Sequence, residues 1–287
     1  MDLFDHSKVR IKLFADDIKL YLEIVDNSDH NKLQDAINKV YDWSKTWQLR
    51  LANDKCQHCH ISLSPRHQPF DYFVSDFQLP MVSIVRDLGV LVDSRLTFRD
   101  HIKSVVSRGH LRAIQIWRCF LCKDTDILIK AFTTYVRPLL EYCSPVWSPT
   151  SVTLVNELES VQRRFTKRLP GFKLLSYDER CAHLGIDRLE LRRLRTDLIL
   201  CYKIFHGLVL LSSDDFFTTV RNRATRGHSF KLFLPDSRVN CRQHFFAVRI
   251  VTVWNSLPDE VVSANSLALF TRLLRSLDLS GFIIGKL

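Results

Sequence analysis

The spacing of apolar residues changes at about residue 97, and this change constrains the fold more than any other feature of the chain. Before it, short apolar runs are separated by turn-forming residues, which predicts strands. After it, apolar residues recur every three to four positions, which is typical of amphipathic helices. A strand-rich part followed by a helix-rich part predicts an α+β fold with a helical extension.

The first part of the chain predicts a hairpin, a helix and further strands. Asp16 and Asp17 separate two apolar runs and are expected at the hairpin tip. A helix is predicted to begin with Ser28 as its N-cap and to end near Asn53. The predicted strands are 12–15, 18–24, 59–63, 72–74 and 82–92, the last of which Gly89 is able to bend.

The second part predicts a series of helices. Three amphipathic helices are expected around 102–106, 127–136 and 154–169. Ser176 and Glu179 form a capping-box pattern that begins another helix. A long helix is predicted over 189–205, closed by Gly207. Its predicted polar face carries Arg188, Arg192, Arg193, Arg195 and Lys203.

The adjacent carboxylates Asp16 and Asp17 are the first candidate site. Like charges at a hairpin tip repel each other unless a cation lies between their oxygens and a partner. Magnesium prefers such oxygen ligands, and two Mg²⁺ ions held by carboxylates support phosphoryl transfer. A solvated turn is the alternative interpretation of the same pair.

Basic residues form the second candidate site. The formal net charge of +10 favours a polyanionic partner, because each Lys or Arg at a phosphate releases a condensed counterion. Five cations follow a helical stripe and are expected to contact nucleic-acid phosphates: Arg163, Arg164, Lys167, Arg168 and Lys173. The alternative is a solvated helix face with ion pairs to Glu157, Glu159, Asp178 and Glu179. The pair Arg192 and Arg193 stays open between the same two interpretations.

The eight cysteines are scattered along a chain without a secretory signal. This pattern predicts free thiols and an intracellular protein of the nucleus or cytoplasm that is not secreted. No run of 18 apolar residues is present, so no membrane span is predicted. Zinc half-site spacing occurs at Cys56 with Cys59, beside His58 and His60, and at Cys119 with Cys122; a zinc site is a minor alternative.

Several ordered blocks resemble one protein family. Leu13-Phe14-Ala15-Asp16-Asp17 resembles the Y/F-A-D-D box of reverse transcriptases, and the resemblance to jockey-like non-LTR retrotransposons extends from about residue 13 to about residue 274. The further blocks are Asn53-Asp54-Lys55-Cys56, Asp87-Leu88-Gly89-Val90, Val136-Arg137-Pro138, Val161-Gln162-Arg163-Arg164-Phe165, Thr225-Arg226-Gly227-His228 and Trp254-Asn255-Ser256-Leu257-Pro258.

The resemblance implies specific roles. Asp16 and Asp17 would bind Mg²⁺, and Lys55 would act as a general acid or contact a phosphate. The partners would be an RNA template and a DNA primer. The implied domains are a partial palm with a primer-grip-like hairpin at 1–95, a helical thumb at 96–170 and a helical, basic region at 171–287.

The resemblance also implies that part of the polymerase is missing. In the family a further metal-binding aspartate lies on an earlier strand, whereas only a dozen residues precede Phe14 here. Phe4-Asp5 mimics that motif but lies too close to Asp16. We therefore expect a fragment of an RNA-directed DNA polymerase that is inactive alone. The alternative is a catalytically inactive, nucleic-acid-binding remnant of a truncated retroelement.

Overall fold

The computed structural model describes residues 8–63, 70–220 and 228–285. Phe4, Asp5 and the block Thr225–Gly227 therefore lie outside the described residues. The structure is α+β and 52% helical, which confirms the predicted class. The chain divides into two compact units, Met1–Leu96 and Thr97–Leu287. The three predicted domains stay a prediction.

Unit 1 contains three antiparallel two-stranded ladders among its described residues. The predicted hairpin at Asp16 and Asp17 is confirmed. A small core of Tyr72, Val74 and Leu79 packs against the first helix. The elements are β1 Arg10–Phe14, β2 Asp17–Tyr21, α1 Asn27–Thr46, a 3₁₀ turn at Asn53–Lys55, β3 Phe73–Val74, β4 Phe77–Gln78, β5 Ile84–Asp87 and β6 Val90–Asp93.

The predicted limits of α1 were wrong at both ends. Asp26 is the N-cap in place of Ser28, because the Asp26 side chain accepts the backbone N–H of Ser28. Asp29 completes the capping box. The helix ends at Thr46 because Gln48 adopts a left-handed conformation, with φ of 55°, that does not continue a helix.

Two strand predictions also need correction. The segment 82–92 forms the hairpin β5–β6 instead of one bent strand, because Leu88 and Gly89 both have positive φ and make a two-residue turn. Residues 59–63 form no strand. Within the described part of the chain, this region contributes one isolated bridge, between His58 and Met81, and a strand requires a longer ladder.

Unit 2 is helical, as predicted. The predicted capping box of Ser176 with Glu179 is confirmed, and so is the helix at 189–205 followed by Gly207 in a left-handed conformation. Its longer helices are α2 Arg99–Cys119, α3 Thr125–Tyr135, α6 Val152–Lys167, α7 Tyr177–His183, α8 Leu189–Phe205 and α14 Leu267–Ser276. The short helices are α4 Arg137–Glu141, α5 Ser144–Trp147, α9 Ser213–Phe216, α10 Asn240–Gln243, α11 Phe246–Arg249, α12 Val251–Ser256 and α13 Asp259–Val262, with a 3₁₀ turn at Ser280–Phe282.

Two packing arrangements organise unit 2. α2 crosses α6 at Gly109, which lies against Leu140 and Val161. The C-terminal helices bury Trp254 and Phe270 in one core with Leu198 and Tyr202 of α8. No helix among the described residues has both the length and the hydropathy needed to cross a membrane.

Candidate metal centre and nucleic-acid interface

Asp16 and Asp17 occupy the tip of the β1–β2 hairpin. Phe14 pairs with Asp17, so Ala15 and Asp16 form the two-residue turn. Ala15 has φ of 51°, in the left-handed region that is uncommon for a residue with a Cβ. Both aspartates are exposed to solvent. Their oxygens are therefore accessible to a cation and to the phosphate groups of a ligand.

The described residues bring no further metal ligand to this pair. No group of three or more His, Cys, Asp or Glu side chains suitable for a metal ion occurs among them, neither at Asp16 and Asp17 nor at Cys56 and Cys59. Two carboxylates are compatible with Mg²⁺, because this ion commonly keeps several waters and is completed by substrate phosphates. They do not match a four-ligand zinc site.

Lys55 ends the 3₁₀ turn Asn53–Lys55 and is exposed. In the described structure it forms no ion pair with Asp16 or Asp17, which lie on a different element of unit 1. Its role as a general acid or phosphate ligand stays a prediction.

The five predicted phosphate-binding cations lie at the end of α6 and just beyond it. Val155, Leu158, Val161 and Phe165 bury one face of the helix, which turns the intervening basic residues outward. Arg164, Lys167, Arg168 and Lys173 are exposed and Arg163 is half-buried. We call these five residues, Arg163, Arg164, Lys167, Arg168 and Lys173, the α6 cations.

Three of the four acidic residues of the alternative interpretation, Glu159, Asp178 and Glu179, have other partners. Glu159 is 1% exposed and accepts the backbone N–H groups of Leu189 and Glu190, at 3.2 and 3.1 Å, and the hydroxyl of Tyr177. Burial raises the pKa of this carboxyl, and the positive charge of Arg193 opposes the rise.

The other two carboxylates that the structure engages lie on α7. Asp178 accepts two hydrogen bonds from the guanidinium of Arg188, at 2.7 and 2.6 Å. Glu179 accepts the backbone N–H of Ser176 in the capping box. Across residues 8–63, 70–220 and 228–285, none of the α6 cations forms an ion pair with a carboxylate. Their charges are therefore available to an external anion.

The second basic pair has an internal role. Arg192 forms an ion pair with Glu141. Arg193 is 2% exposed, so the prediction that it lies on the polar face of α8 was wrong. Burial lowers the pKa of its guanidinium, and the negative charge of Glu159 opposes this fall.

The structure adds Trp117 and Lys123 to the surroundings of the α6 cations. The guanidinium carbon of Arg168 lies 4.9 Å from the ring centroid of Trp117, and the Nζ of Lys123 lies 5.5 Å from the same centroid. Such cation–π contacts hold both cations against the ring of Trp117. Sequence reasoning missed this grouping because Lys123 is 45 positions away from Arg168 and carries no local signal.

Comparison with known protein sequences shows which proteins this chain is similar to. Over 126 residues the chain is 30% identical to an uncharacterized protein of Caenorhabditis elegans, covering 43% of this chain and 64% of that protein. Over 168 residues it is 27% identical to the "Probable RNA-directed DNA polymerase from transposon BS" of Drosophila melanogaster, covering 56% of this chain and 18% of that protein. Over 171 residues it is 24% identical to the "RNA-directed DNA polymerase from mobile element jockey" of Drosophila funebris, covering 58% of this chain and 18% of that protein.

The chain is related to the reverse transcriptases of jockey-like non-LTR retrotransposons. It spans about a fifth of the length of these polymerases, and slightly less than two thirds of the worm protein. No family model matches the chain, and no solved structure matches it. The relationship to jockey-like reverse transcriptases confirms the family resemblance seen in the sequence. The palm and thumb assignment stays a prediction.

Proposed function

We propose that this chain is the part of a jockey-like reverse transcriptase that holds the template–primer duplex. The α6 cations contact the phosphate backbone, and Asp16 and Asp17 bind Mg²⁺ in the complete polymerase. The ligands are an RNA template and a DNA primer, and the place of action is the nucleus or the cytoplasm. Related polymerases support the ligand class, because their names specify RNA-directed DNA synthesis.

One observation carries the proposal for duplex binding. The α6 cations are without carboxylate partners in the described structure, whereas Glu159, Asp178 and Glu179 nearby in sequence are each engaged elsewhere. Unpaired, clustered cations gain affinity for polyanions by releasing counterions.

Catalysis is proposed only for the complete polymerase. Asp16 and Asp17 supply two carboxylates to Mg²⁺, and waters and phosphate oxygens would complete its coordination. When held by Asp16 and Asp17, Mg²⁺ would supply charge stabilisation for phosphoryl transfer to a primer 3′-hydroxyl. The chain's own contribution is to hold both carboxylates at the tip of the β1–β2 hairpin. Acting alone it is proposed to bind duplex without extending a primer.

Salt-dependent binding of an RNA–DNA hybrid tests the α6 cations. Replacing Arg164→Gln and Lys167→Gln together should flatten the slope of log affinity against log salt by about 2, since each phosphate contact contributes roughly 0.9. The control is Arg272→Gln with Arg275→Gln, which removes the same charge from exposed positions of α14. Equal slopes for both double variants would exclude α6 as the phosphate-binding surface.

Primer extension on a poly(rA)/oligo(dT) template with Mg²⁺ tests the catalytic part. We expect no extension by the chain alone, and unchanged duplex binding in the Asp16→Asn, Asp17→Asn double variant. Extension that this variant loses would show that the chain is catalytically complete. Loss of hybrid binding in the same variant would contradict the division of roles between the hairpin and α6.

A further inference from the structure

The segment between α8 and α9 exposes a run of apolar side chains. Leu208 is 53% exposed, Leu210 is fully exposed and Leu211 is 43% exposed, whereas Val209 packs against the core formed by α8 and the C-terminal helices. Three exposed leucines within four residues are uncommon on a protein surface unless they bind a partner. We call residues 208–215 the leucine segment; it consists of Leu208, Val209, Leu210, Leu211, Ser212, Ser213, Asp214 and Asp215.

Both ends of the leucine segment are attached to the folded part of unit 2. Gly207 has φ of 63° after the end of α8, and the N–H of Leu208 donates to the carbonyl of Lys203 at 2.8 Å. Phe217, which follows α9, is buried in the same core as Val209. The fold therefore holds the segment at the surface, where the three leucines are accessible to another molecule.

The main chain of the leucine segment is accessible as well. In the part of the chain that the structure describes, Val209, Leu210 and Leu211 form no main-chain hydrogen bond. Segments that add a strand to the edge of a sheet gain affinity from main-chain hydrogen bonds and specificity from alternate side chains. In an extended conformation Leu208 and Leu210, the two most exposed residues of the run, lie on one face.

Two carboxylates follow the apolar run. Asp214 and Asp215 are exposed, and neither forms an ion pair with another residue that the structure describes. The chain as a whole carries a formal net charge of +10, so this segment differs in charge from its surroundings. Carboxylates beside an apolar anchor favour a partner with lysine or arginine at the rim of its groove, because complementary charges steer association and suppress wrong partners.

We propose that the leucine segment binds another protein by adding a strand to an open sheet edge. Leu208 and Leu210 would enter an apolar groove beside that edge, and Asp214 and Asp215 would face a basic rim. The small ubiquitin-like modifiers combine these three surface features in one compact domain and are the class of partner that the segment fits. Residues 209–211 are bent in the structure, so binding requires them to straighten. This interaction goes beyond the proposed function and does not depend on it.

Titration of the full chain into an isotope-labelled small ubiquitin-like modifier, followed by NMR, tests the proposal. We expect shifts of the amide signals of the modifier's edge strand and of the groove beside it. Leu210→Ser should weaken binding by at least about tenfold, because a buried leucine side chain contributes more than one order of magnitude in affinity. No binding by the parent chain would overturn the proposal.

Leu174→Ser is the matched control for the apolar contact. Leu174 is 96% exposed, like Leu210, but lies between α6 and α7, outside the leucine segment. The control variant should bind the modifier as the parent chain does. An equal loss of affinity in Leu174→Ser and Leu210→Ser would show a general effect of surface hydrophobicity and contradict a site at the leucine segment.

The acidic residues are tested by Asp214→Asn with Asp215→Asn. This double variant should bind the modifier about two- to tenfold more weakly at low salt, and its affinity should depend less on salt than that of the parent chain. Asp35→Asn with Asp42→Asn makes the same change of net charge at exposed positions of α1 and should leave both quantities unchanged. Identical salt dependence in the two double variants would contradict the basic rim.

Two other ligands of the leucines would give different results. Sedimentation of the chain alone over a concentration series detects self-association, and flotation with vesicles of phosphatidylcholine and phosphatidylserine detects binding to a membrane surface. Either one, if lost in Leu210→Ser while the modifier does not bind the parent chain, would overturn the proposal in favour of that ligand. Unchanged thermal unfolding of Leu210→Ser confirms that the fold is intact.

Discussion

Arg249 holds the buried carboxylate of Asp197 with two of its guanidinium nitrogens, Nε at 3.0 Å and Nη2 at 3.1 Å. The same Nη2 donates to the backbone carbonyl of Pro145 at 2.8 Å. This one side chain therefore ties the C-terminal helices of unit 2 to α8 and to the segment at α5. Asp197 is 3% exposed, and burial raises its pKa to about 6 despite the positive charge of Arg249.

Arg249→Met should lower the free energy of unfolding by about 3–5 kcal/mol, because it leaves the Asp197 carboxylate buried without a partner. Urea unfolding at pH 7.5 measures the loss. The loss should shrink as pH falls toward about 6, because without Arg249 the Asp197 carboxyl takes up its proton at a higher pH than in the parent chain, where its pKa is about 6. Asp178→Asn is the control: its carboxylate is 65% exposed, and breaking its ion pair with Arg188 should cost no more than about 1 kcal/mol.

The contribution of His101 to the stability of unit 2 should fall as pH decreases from about 6.5 to about 4. His101 is 2% exposed and packs edge-on against Trp147, and burial, assisted by the charge of Arg108, lowers its pKa to about 4. A folded-state pKa below the unfolded value gives stability that is fully present above pH 6.5 and is lost as pH falls. At about 1.4 kcal/mol per pKa unit, the loss is up to ~3 kcal/mol.

Thermal and urea unfolding of His101→Leu across this pH range measures the effect. As pH decreases from 6.5 to 4, the free energy of unfolding of the variant should rise relative to that of the parent chain, because the variant lacks the imidazole that must take up a proton. His183→Gln, at an exposed position of α7, should keep the pH profile of the parent chain. An identical pH profile for the parent and His101→Leu would contradict the assignment to His101.

Gly109→Val should destabilise the contact between α2 and α6. A Cβ at this position would lie 2.9 Å from Cδ2 of Leu140 and 3.3 Å from Cγ1 of Val161, both in the fully buried core. Overpacking of this kind costs about 1–3 kcal/mol. Ser107→Val introduces the same side chain on the exposed face of α2 and should change stability by less than about 1 kcal/mol. Chemical unfolding compares the two.

Glu159→Ala should lower the free energy of unfolding more than Glu157→Ala does. The first change leaves the N–H groups of Leu189 and Glu190 and the Tyr177 hydroxyl without their acceptor in a buried position, which costs on the order of 3 kcal/mol. The second truncates a half-buried residue of the same helix. Unfolding in guanidinium chloride measures both variants. Equal free energies of unfolding would contradict this account.

The sequence predicted the hairpin and the main helices well because these elements rest on local signals. The capping box at Ser176 and Glu179 and the apolar spacing of α8 depend on residues three or four positions apart. The first and last residues of the helices were less predictable. Asp26 and Ser28 are both residue types that cap helices well, and only the folded structure shows that the Asp26 side chain accepts the backbone N–H of Ser28.

The candidate site was predictable to the same extent. Asp16 and Asp17 at a hairpin tip follow from alternation and from a turn between two apolar runs. The lack of carboxylate partners for the α6 cations among the described residues does not follow from the sequence. It depends on which groups the nearby carboxylates bind in the folded structure. Glu159 binds the start of α8, 30 positions away, and Arg193 enters the interior although its sequence context is as basic as that of Arg192.

By itself, the sequence determined the α+β class, the period change at residue 97, the carboxylate pair and the relationship to jockey-like reverse transcriptases. Each of these features can be recognised from residues that are close together in the sequence, without knowledge of how the side chains pack. Only the tertiary structure decided which charged side chains form ion pairs or hydrogen bonds within the protein. Asp87 forms an ion pair with Lys19 from 68 positions away, and Lys12 forms none with the residues that the structure describes, because ion pairs depend on distance in space and not on distance along the chain.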